Sequence, residues 1–391
     1  MTAPATAVYL DYNATAPVRP EVAAAVAEAL RRGGNPSSVH AAGRNARAAV
    51  EAAREQVAAL VNAPRDGVIF TAGGTEAAHL ALQGVARANG VTDLIVSAVE
   101  HGAVGAAAHY SGFKVRELPV DREGVADLGA LERHLAGITR SGGRALVALM
   151  LANNETGVIQ PVTEAARLVH EAGGLLYTDA VQGPGKYPVD MAALDADMLS
   201  LSAHKLGGPQ GTGALIIREG LAVEPLLRGG GQELNRRAGT ENVPGIVGFG
   251  AAAALAAADN EAVAHMQNLR DRLEARMAEA VPEVAFFGRG ALRLPNTICA
   301  AVPGVSAETL VMALDLEGVA VSSGAACSSG KVTPSHVLAA MGVEETLTRA
   351  AIRVSLGWAS REEDIEHFLP AWTAHIERAG KRTRETESLE A

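Results

Sequence analysis

The sequence predicts an α/β fold: one large unit with a mainly parallel, seven-stranded sheet, and a smaller α/β unit toward the C-terminus. Three observations carry this expectation. From Asp66 to Arg218 short β-rich runs alternate with longer amphipathic segments, the pattern of a parallel sheet covered by helices. Most of those runs are continuously apolar and bounded by Gly, Asp or Asn, as strands buried on both faces are. A second mixed segment then follows a long Ala-rich stretch.

In chain order, Arg44–Asn62 comes first, a helix with Arg47, Glu51 and Glu55 on one side and Ala49, Val50, Val57, Leu60 and Val61 supplying apolar surface. The strand candidates are Val68–Thr71, Asp93–Ala98, Lys114–Leu118, Ala145–Ala152, Leu175–Thr178, Met198–Ser202 and Gly213–Arg218. Ile246 to about Ala280 reads as one long helical stretch. Further strands are expected near Asn296–Val302, Val319–Ser322 and Ala351–Leu356. The residues from Lys381 to Ala391 are nearly all polar and predict a frayed or disordered tail.

With 391 residues and about 150 residues per domain, two to three domains are expected. A hydrophobic share of 48% with 20% charged residues supports a large core rather than disorder. The 34 basic and 44 acidic side chains sum to −10, a surface that repels nucleic acid and anionic membranes. Two cysteines, Cys299 and Cys327, are too few for a disulfide framework and fit a reducing compartment. The start, from Met1 to Thr15, has no signal-like pattern, and Val243 to Ala258 falls short of a bilayer span, so a cytoplasmic protein is expected.

The strongest local signal is Ser202-Ala203-His204-Lys205-Leu206-Gly207-Gly208, where a lysine leaves an apolar strand and enters a glycine-rich loop. Such a lysine can form a Schiff base with an aldehyde cofactor while Ser202 and His204 bind a phosphate; a surface lysine at a strand end is the alternative. Asp179 stands at the C-terminal end of another buried run, where α/β sheets bind ligands, and could pair with a protonated pyridine nitrogen or cap a helix. Gly73-Gly74-Thr75-Glu76 reads as a phosphate cradle or as a capped glycine turn. His101, after a third strand, could stack on a cofactor ring and move protons, or sit in a loop as an ordinary hydrogen-bonded histidine. Asn154, in Asn153-Asn154-Glu155-Thr156-Gly157, is a turn residue or a substrate contact. Cys327 lies among small residues with little to bury it and reads as an accessible nucleophile, with Lys331 near in sequence, whereas Cys299 among apolar neighbours reads as core. Arg353 interrupts an apolar strand, so it needs a partner such as a substrate carboxylate or an outward-facing position.

In this combination the chain resembles pyridoxal-phosphate enzymes of the class V aminotransferase group, and within it the cysteine desulfurases of NifS/IscS type. The resemblance spans nearly the whole chain, from Leu10-Asp11-Tyr12-Asn13-Ala14-Thr15 through Gly229-Gly230-Gly231-Gln232-Glu233 and Arg237-Ala238-Gly239-Thr240-Glu241-Asn242 to Arg353-Val354-Ser355-Leu356-Gly357. It implies a fold of the aspartate aminotransferase-like type I, with residues 16–260 as the cofactor-binding domain, 1–15 and 261–380 as the small domain carrying the Cys327 loop, and 381–391 as a polar tail. It also implies roles. Lys205 would be the Schiff-base lysine and Asp179 the partner of the pyridine nitrogen. Gln182 would meet the ring hydroxyl, and His101 would stack on the ring. Gly74, Thr75, Ser202 and His204 would hold the phosphate, with Thr240 reaching it from the other subunit of a homodimer. Asn154 and Arg353 would receive the carboxylate of L-cysteine, and Cys327 would accept its sulfur as a persulfide. No resident metal is implied; Cys327 is at most a transient iron–sulfur ligand.

The sequence departs from the commoner pattern at Glu100-His101-Gly102-Ala103, where many relatives carry a second histidine, and at Gly324-Ala325-Ala326-Cys327, which replaces Gly-Ser-Ala-Cys. The expected reaction is desulfuration of L-cysteine to L-alanine, with the sulfur passed to an iron–sulfur scaffold or a thiolation protein. The rivals are a selenocysteine lyase or another class V enzyme on the same site, and a sulfur-carrier or scaffold subunit without turnover.

Overall fold

The computed structural model describes residues 8–324 and 334–390. Seven strands form the large sheet in the order Val68–Thr71, Gly213–Ile217, Met198–Ser202, Leu175–Asp179, Ala145–Ala148, Asp93–Ser97 and Lys114–Leu118. All of its neighbouring strands run parallel except Gly213–Ile217, which is antiparallel to both of its neighbours. The seven expected strands are thus all present, and the central ones, such as Leu175–Asp179 and Met198–Ser202, are buried on both faces. Their continuous apolar composition follows from that double burial.

Helices cover each face. Ala41–Leu60 begins three residues before its expected start because the His40 ring accepts the Gly43 N–H at 3.2 Å and caps it. It packs with Pro20–Arg32 against Val243–Ala258. The stretch expected as one helix to Ala280 is two, Val243–Ala258 and Asn260–Ala280, bent by 72°. At the break, Asp259 leaves helical dihedrals and pairs with Arg19 at 2.9 Å. The apolar first helix stays in the large core, and the amphipathic second turns to a different one. Among the described residues no single helix is long and apolar enough to cross a membrane.

That second core lies under a four-stranded antiparallel sheet, ordered Ser322–Ser323, Ala351–Ser355, Thr297–Ala301 and Ala285–Phe286. The single strand expected near Val319–Ser322 is split: Val319–Ala320 pairs instead with Val8–Tyr9 at the start of the chain. The final helix, Glu362–Glu390, packs Ile365, Phe368, Trp372 and Ile376 onto this core. It continues through the stretch expected to fray, correcting that expectation: Lys, Arg, Glu and Leu are good helix formers, and a helix already anchored need not be nucleated again.

The N-terminal segment joins the two sheets. Asp11 bridges to Ser355 of the small sheet, while Ala16 N–H donates to His204 O at 2.8 Å and Arg19 N–H to Gly207 O at 3.0 Å. Tyr12 packs directly on Gly357, where a methyl group would overlap its ring. Gly357→Ala is therefore expected to cost about 1–3 kcal/mol through forced displacement of Tyr12, read as a lower midpoint in urea unfolding.

Candidate active site

Five of the sheet's strands end at the same edge, so the residues following them meet: Gly74 and Thr75 after the first, then His101, Asn154, Asp179 and the Ser202–Lys205 turn. They line one cavity of about 660 Å³, which Gln182 and, from the small sheet, Arg353 also enter. The edge is the one at which open α/β sheets bind ligands.

Lys205 sits on the turn Ala203–Lys205 directly after strand Met198–Ser202. Its Nζ donates to the carbonyls of Asn13 at 2.5 Å and Ala14 at 2.8 Å. Burial, reinforced by the Arg353 charge and opposed by Asp11 and Asp179, pushes its pKa down to about 8. A useful fraction of the amine is therefore unprotonated near neutral pH, as a nucleophile requires. His204, beside it, is pushed down to about 4 by burial and then by Lys205, so it is neutral at pH 7.

Asp179 accepts hydrogen bonds from Val181 N–H at 3.0 Å and Ser200 Oγ at 3.2 Å, both on Oδ1. Ser200 in turn accepts from the Tyr177 hydroxyl at 2.8 Å. Burial raises the Tyr177 pKa well above its ordinary value, which keeps it a donor. The carboxylate is thus oriented from inside the sheet, and Oδ2 is left for a ligand.

His101 caps helix Gly102–His109, its Nδ1 accepting Ala103 N–H at 3.1 Å. Burial lowers its pKa, so the ring is neutral and carries its proton on Nε2. Gly74 opens the helical run Gly74–His79; a Cβ there would come 3.0 Å from the Val181 side chain. The Thr75 and Ser202 hydroxyls beside it make no protein hydrogen bond among the described residues.

Arg353 is buried, not outward-facing, and is held by groups of the protein itself. Nη2 pairs with Asp11 at 2.7 Å and Nη1 donates to Asn154 O at 2.9 Å, while Nε has no partner among the described residues. Asn154 therefore meets Arg353 through its backbone, with its side chain left on the cavity wall. Thr240 does not line this cavity; it borders a separate hollow of about 120 Å³ with Thr71 and Asn242. Cys327 and Lys331 lie outside the described residues. Before that stretch, Ser322 and Ser323 line the cavity; after it, Ser335 hydrogen-bonds Glu155 and His336 Nε2 lies 2.9 Å from Glu100 O. Cys299 is fully buried, as expected, and burial raises its thiol pKa far above the ordinary range.

Sequence reasoning missed Asp11, Asn13, Lys186 and Ser200. Each reads as an ordinary loop or strand polar residue, and only long-range contacts give it a role.

The model of the family described as Aminotransferase class-V matches residues 8–368. The chain belongs to the class-V aminotransferase family. A cysteine desulfurase named IscS from Dictyoglomus turgidum is 43% identical over 378 residues, covering 95% of each chain. A cysteine desulfurase from Cereibacter sphaeroides is 45% identical over 369 residues, 93% of this chain and 94% of that one. Among solved structures, a NifS-like protein superposes with TM-score 0.87 at 36% identity over 95% of this chain and 99% of its own. SspA in complex with cysteine gives TM-score 0.74 at 30% identity, covering 89% and 98%.

Class-V aminotransferases of this kind depend on pyridoxal 5′-phosphate. The cavity of this family member fits that group: a reactive amine, a carboxylate with one free oxygen, and two unpaired hydroxyls beside a glycine line the same wall.

Ser200→Ala leaves the buried Tyr177 hydroxyl unpaired and should cost about 1–3 kcal/mol, measured by urea unfolding. The rate at which Lys205 couples to an added aldehyde should climb with pH and reach half its maximum near pH 8; a midpoint near the ordinary lysine value would contradict the burial argument.

Proposed function

We propose that this class-V aminotransferase is a cysteine desulfurase that converts L-cysteine to L-alanine and delivers the sulfur from Cys327 to an acceptor protein. Relatives that carry the name cysteine desulfurase match over nearly its full length. The observation that carries the reading is that Lys205, Asp179, Gln182 and Arg353 line one cavity, which Ser322 and Ser323, shortly before Cys327 in the chain, also line.

Pyridoxal 5′-phosphate, when bound, supplies the electron sink that lets bonds at the substrate's Cα break. Lys205 would hold it covalently through Nζ, Asp179 would face its ring nitrogen and Gln182 its ring hydroxyl. His101 would stack on the ring. Gly74, Thr75, Ser202 and His204 would hold the phosphate, with Thr240 reaching across from a second copy in a homodimer. His204, being neutral, presents a ring N–H there without a second positive charge beside Lys205.

Arg353 would bind the substrate carboxylate with its unpartnered Nε–H while Asp11 keeps Nη2 in place. The Asn154 side chain would add a second contact to that carboxylate. Lys205, with its pKa near 8, would take the proton from the substrate's Cα and return one to the product. The Cys327 thiolate would then attack the substrate sulfur: an S–S bond forms, the C–S bond breaks, and its electron pair remains on the carbon fragment, leaving a persulfide on Cys327. An iron–sulfur scaffold or a thiolation protein in the cytoplasm is the acceptor this chemistry suits. The division into residues 16–260 and 1–15 with 261–380 belongs to the same proposal, supported by the two separate cores.

Release of alanine and sulfide from L-cysteine in the presence of a thiol reductant is the direct test. The native protein should make both, and Cys327→Ser should lose sulfide release by about 100-fold or more, as removal of a covalent nucleophile does, while keeping the yellow cofactor band. No alanine from the native protein, or an equally fast variant, would defeat the assignment.

A further inference from the structure

Behind the cavity, on the turn that follows Gln182, stands a second buried lysine. Lys186 is 6% exposed, lies outside the cavity lining, and pairs with no carboxylate among the described residues. Its Nζ donates to Gln182 Oε1 at 2.6 Å and to Asn13 Oδ1 at 3.3 Å. Gln182 Nε2 donates to the Asn13 carbonyl at 2.9 Å, the same oxygen that receives Lys205 Nζ. A carbonyl oxygen only accepts, so the amide nitrogen of Gln182 must face Asn13 and its oxygen must face Lys186. The Asn13 side chain is pinned the same way: Nδ2 donates to Asn154 O at 3.2 Å, and Oδ1 accepts from Asn296 at 3.0 Å as well as from Lys186.

We propose that Lys186 is a positioning residue that fixes the Gln182 carboxamide with its NH₂ group available to the cavity and, through Asn13, steadies the seat of Lys205. The proposal rests on the cofactor assignment above. A carboxamide has two ends of nearly equal size, so without Lys186 its oxygen loses its partner and the flipped orientation is no longer penalised on that side. The flipped amide would turn an acceptor toward a ring oxygen that needs a donor. Burial, with Lys205 and Arg353 adding to it, lowers the Lys186 pKa well below its ordinary value. The uncharged amine still has N–H groups for both acceptors, which accounts for the missing counter-ion.

The test uses Lys186→Met, which keeps length and removes the donors, and Lys186→Gln, which keeps a neutral donor. Apparent affinity for added pyridoxal 5′-phosphate is measured by absorbance, together with the pH at which the bound cofactor's band titrates and the thermal midpoint of the cofactor-free protein. Lys186→Met should weaken the affinity about tenfold and move the spectral titration, and Lys186→Gln should restore both to within about twofold, the scale of a lost or kept buried hydrogen bond. In a Gln182→Ala background Lys186→Met should cause no further loss of affinity, since the group it acts through is gone. Native affinity and spectral titration in Lys186→Met, or an additive loss in the double variant, would overturn the proposal; so would a lowered thermal midpoint as its only effect.

Should Lys186→Met not fold, Lys186→Ala is read in its place against Lys186→Gln: affinity for added pyridoxal 5′-phosphate should fall about tenfold in the first and stay within about twofold of native in the second, and equal affinity in the two would overturn the proposal. A native protein that takes up no cofactor sinks the functional reading and this one with it. A native protein that is yellow and makes alanine, with Lys186→Met indistinguishable from it, sinks only this one.

Discussion

The site depends on one buried asparagine. Asn13 is 1% exposed, and its backbone and side chain together bind partners from the small sheet and from the segments that follow three strands of the large one. Its N–H donates to Ser355 of the small sheet, and its Nδ2 to Thr297 of the same sheet and to Asn154 beyond the large sheet's edge. Its carbonyl receives both Lys205 and Gln182. Burying so many polar groups is tolerated because nearly every one has a partner, and that mutual satisfaction makes the arrangement all-or-none. The reactive amine is held because the N-terminal segment is held, and the segment is held because both sheets have folded.

Charge is distributed around this point with unusual economy. Lys205 and Arg353 bring positive charge into the cavity, and Asp11 and Asp179 answer it. Lys186, His101 and His204 are all shifted toward their neutral forms, chiefly by burial. Two further acids lie beneath: burial raises the carboxyl of Glu100 well above its usual range, and raises that of Glu155 despite Ser335. A site built this way keeps its lysine near the point of deprotonation and presents an anionic ligand with N–H donors, without accumulating a net charge that folding could not sustain.

The architecture was legible because it follows from local rules. Continuous apolar runs announced seven strands, and the residues after them, Gly74, His101, Asn154, Asp179 and Lys205, had to emerge at one edge once the strands were parallel. The bend at Asp259 was only weakly signalled, by Asp259-Asn260, a pair that favours caps and turns, and the break is decided by which core each half joins. The helical continuation to Glu390 was missed for a related reason: polarity predicts exposure, not the absence of a helix.

Sequence by itself thus determined the sheet, the edge where the chemistry collects and the identity of the groups offered there, because each is set by residues near one another in the chain. Tertiary structure alone decided that Arg353 pairs with Asp11 across 342 positions of sequence. It likewise decided that Tyr177 orients Asp179 through Ser200, and that Asn13 and Lys186 stand behind the cavity. Those assignments are pairings of buried polar groups, and a buried polar group takes whichever partner the packed fold brings within about 3 Å, a distance that no local pattern encodes.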